Sequence, residues 1–206
     1  MLFYKLISYI FHPLLFSFIG TFLYLFLTPK HISKSQEYVI LLVVFLSTYL
    51  LPIFLLVVLK QFKWIRNYHL DTIKDRKFPV IFFIVLSFMV GKMLMKTQIV
   101  DLLAYSFFGI SFALSITYLL FKFDIKTSLH TLGIGGIIGF LVVMSFEYQL
   151  NFNLLIAVLF LLAGLISFSR LKLKAHIPKE IYLGFLIGFI TQIGSYLFTF
   201  TGYAFS

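Results

Sequence analysis

Cysteine is missing from the sequence, and acidic residues are few. Without a thiol the chain forms no disulfide and no thiolate metal site, and a cysteine nucleophile is excluded. Only 7 Asp and Glu residues accompany 17 Lys and Arg, and charged residues make up just 12% of the chain. A soluble domain carries about twice that proportion of charge. No polar stretch is long enough for a soluble domain, so residues 1–206 are predicted to form a single membrane domain.

Long apolar runs take the place of the missing charge. Apolar residues account for 61% of the chain, and the mean hydropathy is +1.05. Runs of around 20 apolar residues recur along the whole length, which predicts an all-α fold, a polytopic transmembrane helical bundle. The first run lacks a small-residue cleavage site and is interpreted as a retained helix. The net charge of +10 is attributed to loop cations that contact anionic lipid, and no nucleic-acid partner is expected.

Polar turns divide the apolar runs into predicted spans. Seven spans are expected, at residues 6–27, 38–59, 79–95, 102–121, 128–146, 154–168 and 180–200. The turn between the third and fourth spans is very short, so a count of six stays open. Pro13 predicts a kink in the first span, and Pro79 is expected to begin the third. The polar segment 61–78 is expected to include a helix that lies in the membrane interface.

Two small-residue patterns lie within the predicted spans. Gly135 and Gly139 share the fifth span, and Gly184 and Gly188 share the seventh. Glycines at this spacing let helix backbones approach closely in lipid. If both patterns pack, the fifth and seventh spans contact each other, although glycine is also simply common in membrane helices.

The segment 167–184, SFSRLKLKAHIPKEIYLG, interrupts the apolar pattern with cations, a histidine and a glutamate. Ser169 and Arg170 are followed, after five residues, by His176. This spacing resembles the third signature of the type 2 phosphatidic acid phosphatase superfamily, the membrane lipid phosphatases related to vanadium haloperoxidases. The resemblance implies that His176 is a nucleophile that forms a phosphohistidine and that Arg170 binds the phosphoryl oxygens. It also implies that Glu180, in place of the usual aspartate, orients the imidazole.

Glu180 follows His176 by four residues, which is about one helical turn. A helix that begins near Pro178 would bring the carboxylate back to the imidazole, fix its tautomer and leave the other ring nitrogen for attack. The alternative interpretation is a juxtamembrane loop whose cations anchor to lipid headgroups.

The stretch Thr127-Ser128-Leu129-His130 resembles the second signature of the family, P-S-G-H, but its proline and glycine are replaced. The resemblance implies that Ser128 donates to a phosphate oxygen and that His130 is the general acid that protonates the leaving lipid oxygen. The first N–H groups of the fifth span favour an anion in the same place. Serine is also a common helix N-cap, and Ser128 can fill both roles.

Arg76 is the best match to the first signature of the family, K-x-x-x-x-x-x-R-P, whose lysine is missing at its expected place. Lys74 or Lys77 is expected to substitute for that cation, and Lys126 beside the second signature is expected to bind phosphate as well. The alternative is a positively charged cluster that stops membrane insertion.

The three clusters precede the third, fifth and seventh spans, so alternating spans bring them to one membrane face. Thirteen Lys and Arg residues fall on that face and four on the other. The positive-inside rule then predicts a cytoplasmic active site at the membrane interface. The protein is expected in the inner (cytoplasmic) membrane of a bacterium.

The resemblance implies hydrolysis of a lipid phosphate monoester or pyrophosphate, with the lipid bilayer and a membrane lipid phosphate as partners. No H-E-x-x-H or G-x-x-x-x-G-K motif occurs, so no metal or other cofactor is expected. The alternative is a non-catalytic lipid-phosphate-binding or transport protein on the same fold. Phosphatidic acid, phosphatidylglycerophosphate, a polyprenyl pyrophosphate and a lipid A phosphate stay open as substrates, as does the oligomeric state. The remaining histidines, His12, His31 and His69, are interpreted as interface residues.

Overall fold

The computed structural model of the chain describes residues 1–68, 70 and 72–204, with side chains up to residue 198. Within these residues the secondary structure is helical and contains no strand. Six helical segments are each long and apolar enough to cross a membrane, and the number rises to seven if a bent pair at the N-terminus counts as one broken span. The predicted all-α, multi-pass membrane fold is thus confirmed.

Short connections join the helices. In chain order they are α1 (Leu2–Ile10), α2 (Leu15–Leu27), α3 (Lys34–Phe45), α4 (Leu51–Gln61), α5 (Ile73–Met95), α6 (Asp101–Leu120), α7 (Leu129–Tyr148), α8 (Asn153–Lys172) and α9 (Pro178–Ala204). In lipid, a helix is the structure that satisfies every backbone hydrogen bond within its own segment, which is why each apolar run is helical.

The first predicted span is broken at Pro13. α1 and α2 meet at an angle of 58°, because proline has no N–H for the helical hydrogen bond and its ring crowds the preceding turn. α1 packs on α8 and buries Ile7 and Ser8, and Oγ of Ser169 in α8 donates to the carbonyl of Tyr4 at 2.7 Å. The predicted kink is therefore a break in the helix, and α1 packs on α8 separately from α2.

A π-helical turn at Leu46–Leu50 joins α3 to α4 and precedes Pro52. Proline cannot donate to the carbonyl four residues earlier, and the wider turn accommodates the missing hydrogen bond. Together α3, the π turn and α4 make one continuous span, Lys34–Gln61. Pro52 therefore interrupts the hydrogen bonding of this span without ending it.

The prediction of an interfacial helix within residues 61–78 is wrong for the described part of that segment, which contains no separate helix between α4 and α5. The described residues between α4 and Thr72 form turns, bends and irregular backbone, and α5 begins at Ile73. Oγ1 of Thr72 accepts from the backbone N–H of Asp75 at 3.2 Å and donates to its carboxylate at 2.7 Å. Because this N-cap precedes Pro79 by seven residues, the proline lies inside the third span instead of beginning it.

Ser169 and Arg170 belong to the last turn of α8, which continues to Lys172, whereas the sixth span was predicted to end at residue 168. α9 then begins at Pro178, a residue whose missing N–H is not needed at the first helical position. Only residues 173–177 separate the two helices, and they carry His176.

α7 and α9 pack against each other most extensively of all helix pairs in the described chain. A Cβ atom on Gly135 would lie 2.3 Å from the carbonyl oxygen of Phe185, and one on Gly188 would lie 2.0 Å from that of Leu132. Both distances are far below van der Waals contact, so only glycine permits this approach. The predicted contact between the fifth and seventh spans is confirmed, and it brings the starts of α7 and α9 together.

Candidate active site

A cavity of about 560 Å³ lies where the starts of α5, α7 and α9 meet α1, α2 and the end of α8. Its basic and imidazole side chains are Lys5, His12, Arg76, Lys126, His130, Arg170, Lys174 and His176. No Asp or Glu is among the described residues that line it. Cations that converge in a recess without acidic residues favour an anionic ligand.

The rest of the cavity wall is mainly apolar and extends into the bundle. Along α7 the lining runs from His130 to Phe140, which is ~15 Å of helix, or about half of the ~30 Å hydrocarbon core of a bilayer. Phe16, Leu55 and Phe107 contribute to this wall from three other helices. The recess therefore fits an anion that carries an apolar tail.

His176 lies in the loop between α8 and α9, and its side chain is 1% exposed. Nδ1 of the imidazole lies 2.6 Å from Oε2 of Glu180, one helical turn later. The same oxygen accepts from the backbone N–H of Ile177 at 3.4 Å, in the way that a glutamate at the third helical position caps its own helix. The contact that the four-residue spacing predicts is present.

The surroundings of His176 keep the imidazole neutral. Burial lowers the pKa of His176 from its ordinary value of 6.5, and the charges of Arg76, Arg170 and Lys126 lower it further, to about 3. A hydrogen bond with the backbone of Lys126 is the smallest effect and acts in the opposite direction. A neutral ring that directs Nδ1–H at Glu180 carries its lone pair on Nε2, as a nucleophile must.

Arg76 connects the segments that precede α5 and α7. The residue is buried, and its Nε donates to the carbonyl of Leu70 at 2.7 Å while Nη1 donates to the carbonyl of Thr127 at 3.1 Å. These hydrogen bonds hold the guanidinium at the cavity, close enough to His176 to lower its pKa. The first and second sequence clusters thus meet directly.

Arg170 enters the cavity from the last turn of α8. Its Nη1 donates to Oγ of Ser8 in α1, and the preceding residue, Ser169, is fully buried against the backbone of Tyr4. The serine and arginine of the third signature therefore both contact α1.

His130, in the first turn of α7, faces α1. Its Nε2 lies 3.2 Å from the carbonyl oxygen of Ser8 and 3.4 Å from the hydroxyl of the same residue. Its ring is edge to face with that of His12, with centroids 6.1 Å apart. His12 was interpreted as an interface residue but lines the cavity, whereas His31 is exposed and His69 lies outside the described residues.

Ser128 is the N-cap of α7 and does not line the cavity. Its side chain accepts from the N–H of Thr131 at 3.5 Å, its own N–H donates to the carbonyl of Glu180 at 3.1 Å, and the residue is 0% exposed. Two roles were expected for Ser128, and the one present in the structure is the N-cap. The residue is fully buried and lies outside the cavity lining, so this arrangement gives the hydroxyl no contact with a ligand in the cavity.

Lys74 and Lys77, the expected substitutes for the missing lysine, are exposed and lie outside the cavity lining. Lys74 precedes Arg76 by two residues and Lys77 follows it by one. At 3.6 residues per turn, their side chains therefore point ~200° and ~100° away from that of Arg76 around the axis of α5. Lys126, in contrast, does line the cavity.

The sequence interpretation missed Ser8, Lys5 and Lys174. Ser8 contacts Arg170 across 162 residues of chain, and no spacing pattern predicts such a contact. Lys5 reaches the cavity through the same docking of α1. Lys174 lies within the signature segment itself, two residues before His176, so its proximity to the histidine was the available signal.

Cations and hydrogen-bond donors are the ligand-binding groups of the site. Among the described residues, no group of three or more His, Asp or Glu side chains is placed to hold a metal ion. Guanidinium and ammonium groups bind phosphate through short, charge-assisted hydrogen bonds. The composition of the cavity is therefore that of an anion site.

No protein-family model, no curated protein and no solved structure matches the chain. The resemblance to the type 2 phosphatidic acid phosphatase superfamily therefore rests on the spacing of Ser169, Arg170, His176 and Glu180. The structure adds that Arg76, Lys126, His130, Arg170 and His176 line one cavity.

Proposed function

We propose that this protein is an integral-membrane lipid phosphatase that hydrolyses a lipid phosphate monoester or pyrophosphate through a phosphohistidine intermediate. One observation carries the proposal: a single cavity has cations and the His176–Glu180 pair at one end and an apolar wall ~15 Å deep beyond them. A lipid phosphate has the same two-part chemistry, because its head is anionic and its tail is apolar.

The phosphoryl group binds among Arg76, Arg170 and Lys126 in the proposed reaction. Arginine presents a planar fork of donors that matches two phosphoryl oxygens at once. Catalysis of phosphoryl transfer comes mostly from positioning and from stabilisation of charge on these oxygens. The three cations supply both, and the proposed reaction is independent of metal ions.

His176 attacks phosphorus with the Nε2 lone pair, and the P–O bond to the lipid breaks as the phosphohistidine forms. His130 donates a proton to the leaving lipid oxygen. Glu180 holds Nδ1–H and stabilises the positive charge that the ring acquires when Nε2 bonds to phosphorus. Water then attacks phosphorus and gives a proton back to His130. The P–N bond breaks, which releases inorganic phosphate and restores the imidazole of His176.

The lipid tail occupies the apolar part of the cavity and enters sideways between helices. The site is proposed to face the cytoplasm of a bacterial inner membrane. This orientation is supported by the Lys and Arg residues, thirteen of which fall on the side of the site and four on the other.

A non-catalytic lipid-phosphate-binding or transport protein is the second candidate. It is favoured by Ser128, whose hydroxyl caps α7, and by His130, whose Nε2 contacts the backbone of Ser8. Binding of an anion needs the cations alone, however, and gains nothing from a buried imidazole hydrogen-bonded to a carboxylate. The His176–Glu180 hydrogen bond is therefore the reason to prefer the phosphatase.

Phosphate release from lipid phosphates tests the proposal. Purified protein in lipid nanodiscs is incubated with a panel of lipid phosphates, alongside His176→Ala and the matched control His31→Ala. His31 is exposed in the segment between α2 and α3, so its replacement is expected to leave turnover unchanged. The wild type and the control should release phosphate, and His176→Ala should not.

Trapping of the intermediate provides a second measurement. Brief reaction with a ³²P-labelled lipid should leave label on the wild-type chain that is lost in acid and retained in base, as expected of a phosphohistidine. Binding of the lipids without any phosphate release would overturn the phosphatase and support the binding protein. Turnover that survives in both His176→Ala and His130→Ala would show that the assigned roles are wrong.

A further inference from the structure

Ser8 is a polar residue on the buried face of α1 and lies outside the three signature clusters. It is 9% exposed and lines the cavity, and α1 packs on α8, the helix that carries Arg170. The hydroxyl of Ser8 accepts a hydrogen bond from Nη1 of Arg170. Burial of a hydroxyl costs free energy unless it is hydrogen-bonded, so the polar contacts of Ser8 explain a serine at this place.

The main chain of the same residue contacts His130. Nε2 of the ring lies 3.2 Å from the carbonyl oxygen of Ser8 and 3.4 Å from its hydroxyl. A lone pair on Nε2 would repel the carbonyl oxygen, so this nitrogen carries a hydrogen and donates it to Ser8. The contact fixes the tautomer and the orientation of the ring. One residue of α1 thus contacts both a proposed phosphate ligand and the proposed general acid.

Arg170 is a side chain whose affinity for phosphate depends on such support. An arginine has many rotamers, and the entropy lost when a ligand orders them weakens binding. The hydrogen bond to Ser8 orders the guanidinium before any ligand is bound. Ser128, the serine that the family resemblance assigns to the phosphate, caps α7 and does not line the cavity. The serine that contacts a cation of the site is therefore Ser8.

We propose that Ser8 is a positioning residue that holds Arg170 and His130 in place, so that α1 is a functional part of the phosphate site. This inference rests on the proposed function, because it takes Arg170 as a ligand of the phosphoryl group. The hydroxyl of Ser8 acts on the phosphate through the guanidinium, and the carbonyl acts on the leaving oxygen through His130. The break at Pro13 turns α1 away from the direction of α2 and lets Ser8 reach both side chains.

Affinity for decylphosphonate measures the effect of Ser8 on phosphate binding. The P–C bond of this compound is not hydrolysed by the proposed reaction, so calorimetry in nanodiscs reports binding whether or not the protein is a phosphatase. Ser8→Ala removes the hydroxyl and keeps the carbonyl that faces His130. This variant should bind decylphosphonate about three- to tenfold more weakly than the wild type, because the ligand itself must then order Arg170.

A double-mutant cycle with Arg170→Met separates positioning from a general weakening of the fold. If Ser8 acts through the guanidinium, Ser8→Ala should cause no further loss of affinity in the Arg170→Met background. Ser8→Cys is a second variant that keeps the packing of α1, since cysteine is close to serine in size. Its sulfur is a weak acceptor, so its loss of affinity should equal that of Ser8→Ala.

Ser111→Ala is the matched control for the loss of a buried hydroxyl. Ser111 in α6 is 7% exposed, its hydroxyl donates to the carbonyl of Ile84 in α5 at 3.1 Å, and the residue does not line the cavity. The control loses a hydrogen bond between two helices, as Ser8→Ala does. It should bind decylphosphonate as tightly as the wild type.

Three results would overturn the inference. Equal losses from Ser8→Ala in the wild-type and Arg170→Met backgrounds would mean that Ser8 does not act through Arg170. Wild-type affinity in Ser8→Cys would assign the effect to packing. Unchanged or tighter binding by Ser8→Ala would mean that the hydroxyl does not support the guanidinium. Failure of phosphate release with intact phosphonate binding overturns the phosphatase but leaves the cycle able to support or reject the role of Ser8.

Discussion

At the scale of single residues, the site depends on how His176 is held. Its Nδ1 contacts Glu180 at 2.6 Å, and burial and nearby cations keep the ring neutral. Glu180→Gln is expected to lower kcat on the order of 10²-fold with little change in KM, because an amide does not stabilise the positive ring of the phosphohistidine. Glu180→Asp should recover part of the rate. Steady-state phosphate release measures both constants.

Glu37→Gln is the control for the loss of a carboxylate. Glu37 pairs with Lys34 at 2.7 Å at the start of α3 and does not line the cavity. Its kinetics should match those of the wild type. Equal losses in the variants at Glu180 and Glu37, or a change confined to KM, would contradict the positioning role of Glu180.

The pKa of His176 predicts the pH dependence of turnover. Attack requires the neutral ring, and a pKa lowered from 6.5 to about 3 keeps it neutral as the pH falls through 6.5. The acid limb of kcat/KM that belongs to His176 should therefore lie well below 6.5. Lys126→Met removes one of the cations that lower this pKa, so the limb should move to higher pH.

Lys122→Met is the matched variant for the pH measurement, since Lys122 is exposed, precedes α7 and does not line the cavity. The phosphate group of the substrate also titrates within the pH range of this measurement and contributes to the acid limb in both variants. The difference between the two variants is therefore the informative quantity. An acid limb at the same pH in Lys126→Met and Lys122→Met would refute the electrostatic account of His176.

At the scale of helices, the contact between α7 and α9 positions the site. Gly188→Ala would place a methyl group 2.0 Å from the carbonyl oxygen of Leu132. The helices must separate to accept it, and we expect a loss of about 1–3 kcal/mol of unfolding free energy. Thermal unfolding in detergent, followed by circular dichroism, measures the change.

Gly164→Ala provides the comparison for α7–α9 packing. A Cβ atom on Gly164 meets nothing within 4 Å, and alanine is the better helix former. This variant should be as stable as the wild type or slightly more so. Similar melting temperatures for the variants at Gly188 and Gly164 would show that the close approach of α7 and α9 is not needed for stability.

At the scale of the whole molecule, the cavity joins a cationic end to an apolar wall. Gly20 lines that wall, and a Cβ atom there meets nothing within 4 Å, so a larger side chain can begin without a clash and Gly20→Leu should take up cavity volume. KM should rise about tenfold for lipid phosphates with long tails and stay unchanged for those with short ones. Gly164→Leu, outside the cavity, should change neither. An unchanged KM for every tail length in Gly20→Leu would contradict tail binding in this cavity.

The membrane orientation of the whole bundle is open to a direct test, because the chain has no cysteine of its own. Lys172→Cys adds one thiol on the side of the site, and Lys34→Cys adds one on the opposite side. In intact cells an impermeant thiol reagent should label the cysteine at position 34 and not the one at 172. After lysis both should react. Labelling at position 172 in intact cells would reverse the proposed orientation.

The sequence predicted interactions between residues that lie within one or two helical turns of each other. The apolar runs predicted the spans, Pro13 predicted the disturbance in the first of them, and the four-residue interval predicted the contact of His176 with Glu180. Each depends on neighbours along the chain, whose geometry a helix prescribes. The common face of the three clusters followed from the alternation of spans, and the hydrogen bond from Arg76 to the carbonyl of Thr127 is consistent with it.

Helix packing determines which side chain of each cluster faces the cavity. Spans that are apolar on all sides carry no pattern that predicts their rotation, and so Lys74 and Lys77 face away from the cavity although their charge suggested otherwise. Ser8 contacts Arg170 from a helix at the other end of the chain, and no local spacing predicts such a contact. The sequence alone therefore predicted a helical membrane protein with a His176–Glu180 pair near cations. Tertiary structure alone decided the shape of the cavity and the residues that line it, because these depend on how whole helices turn and dock against one another.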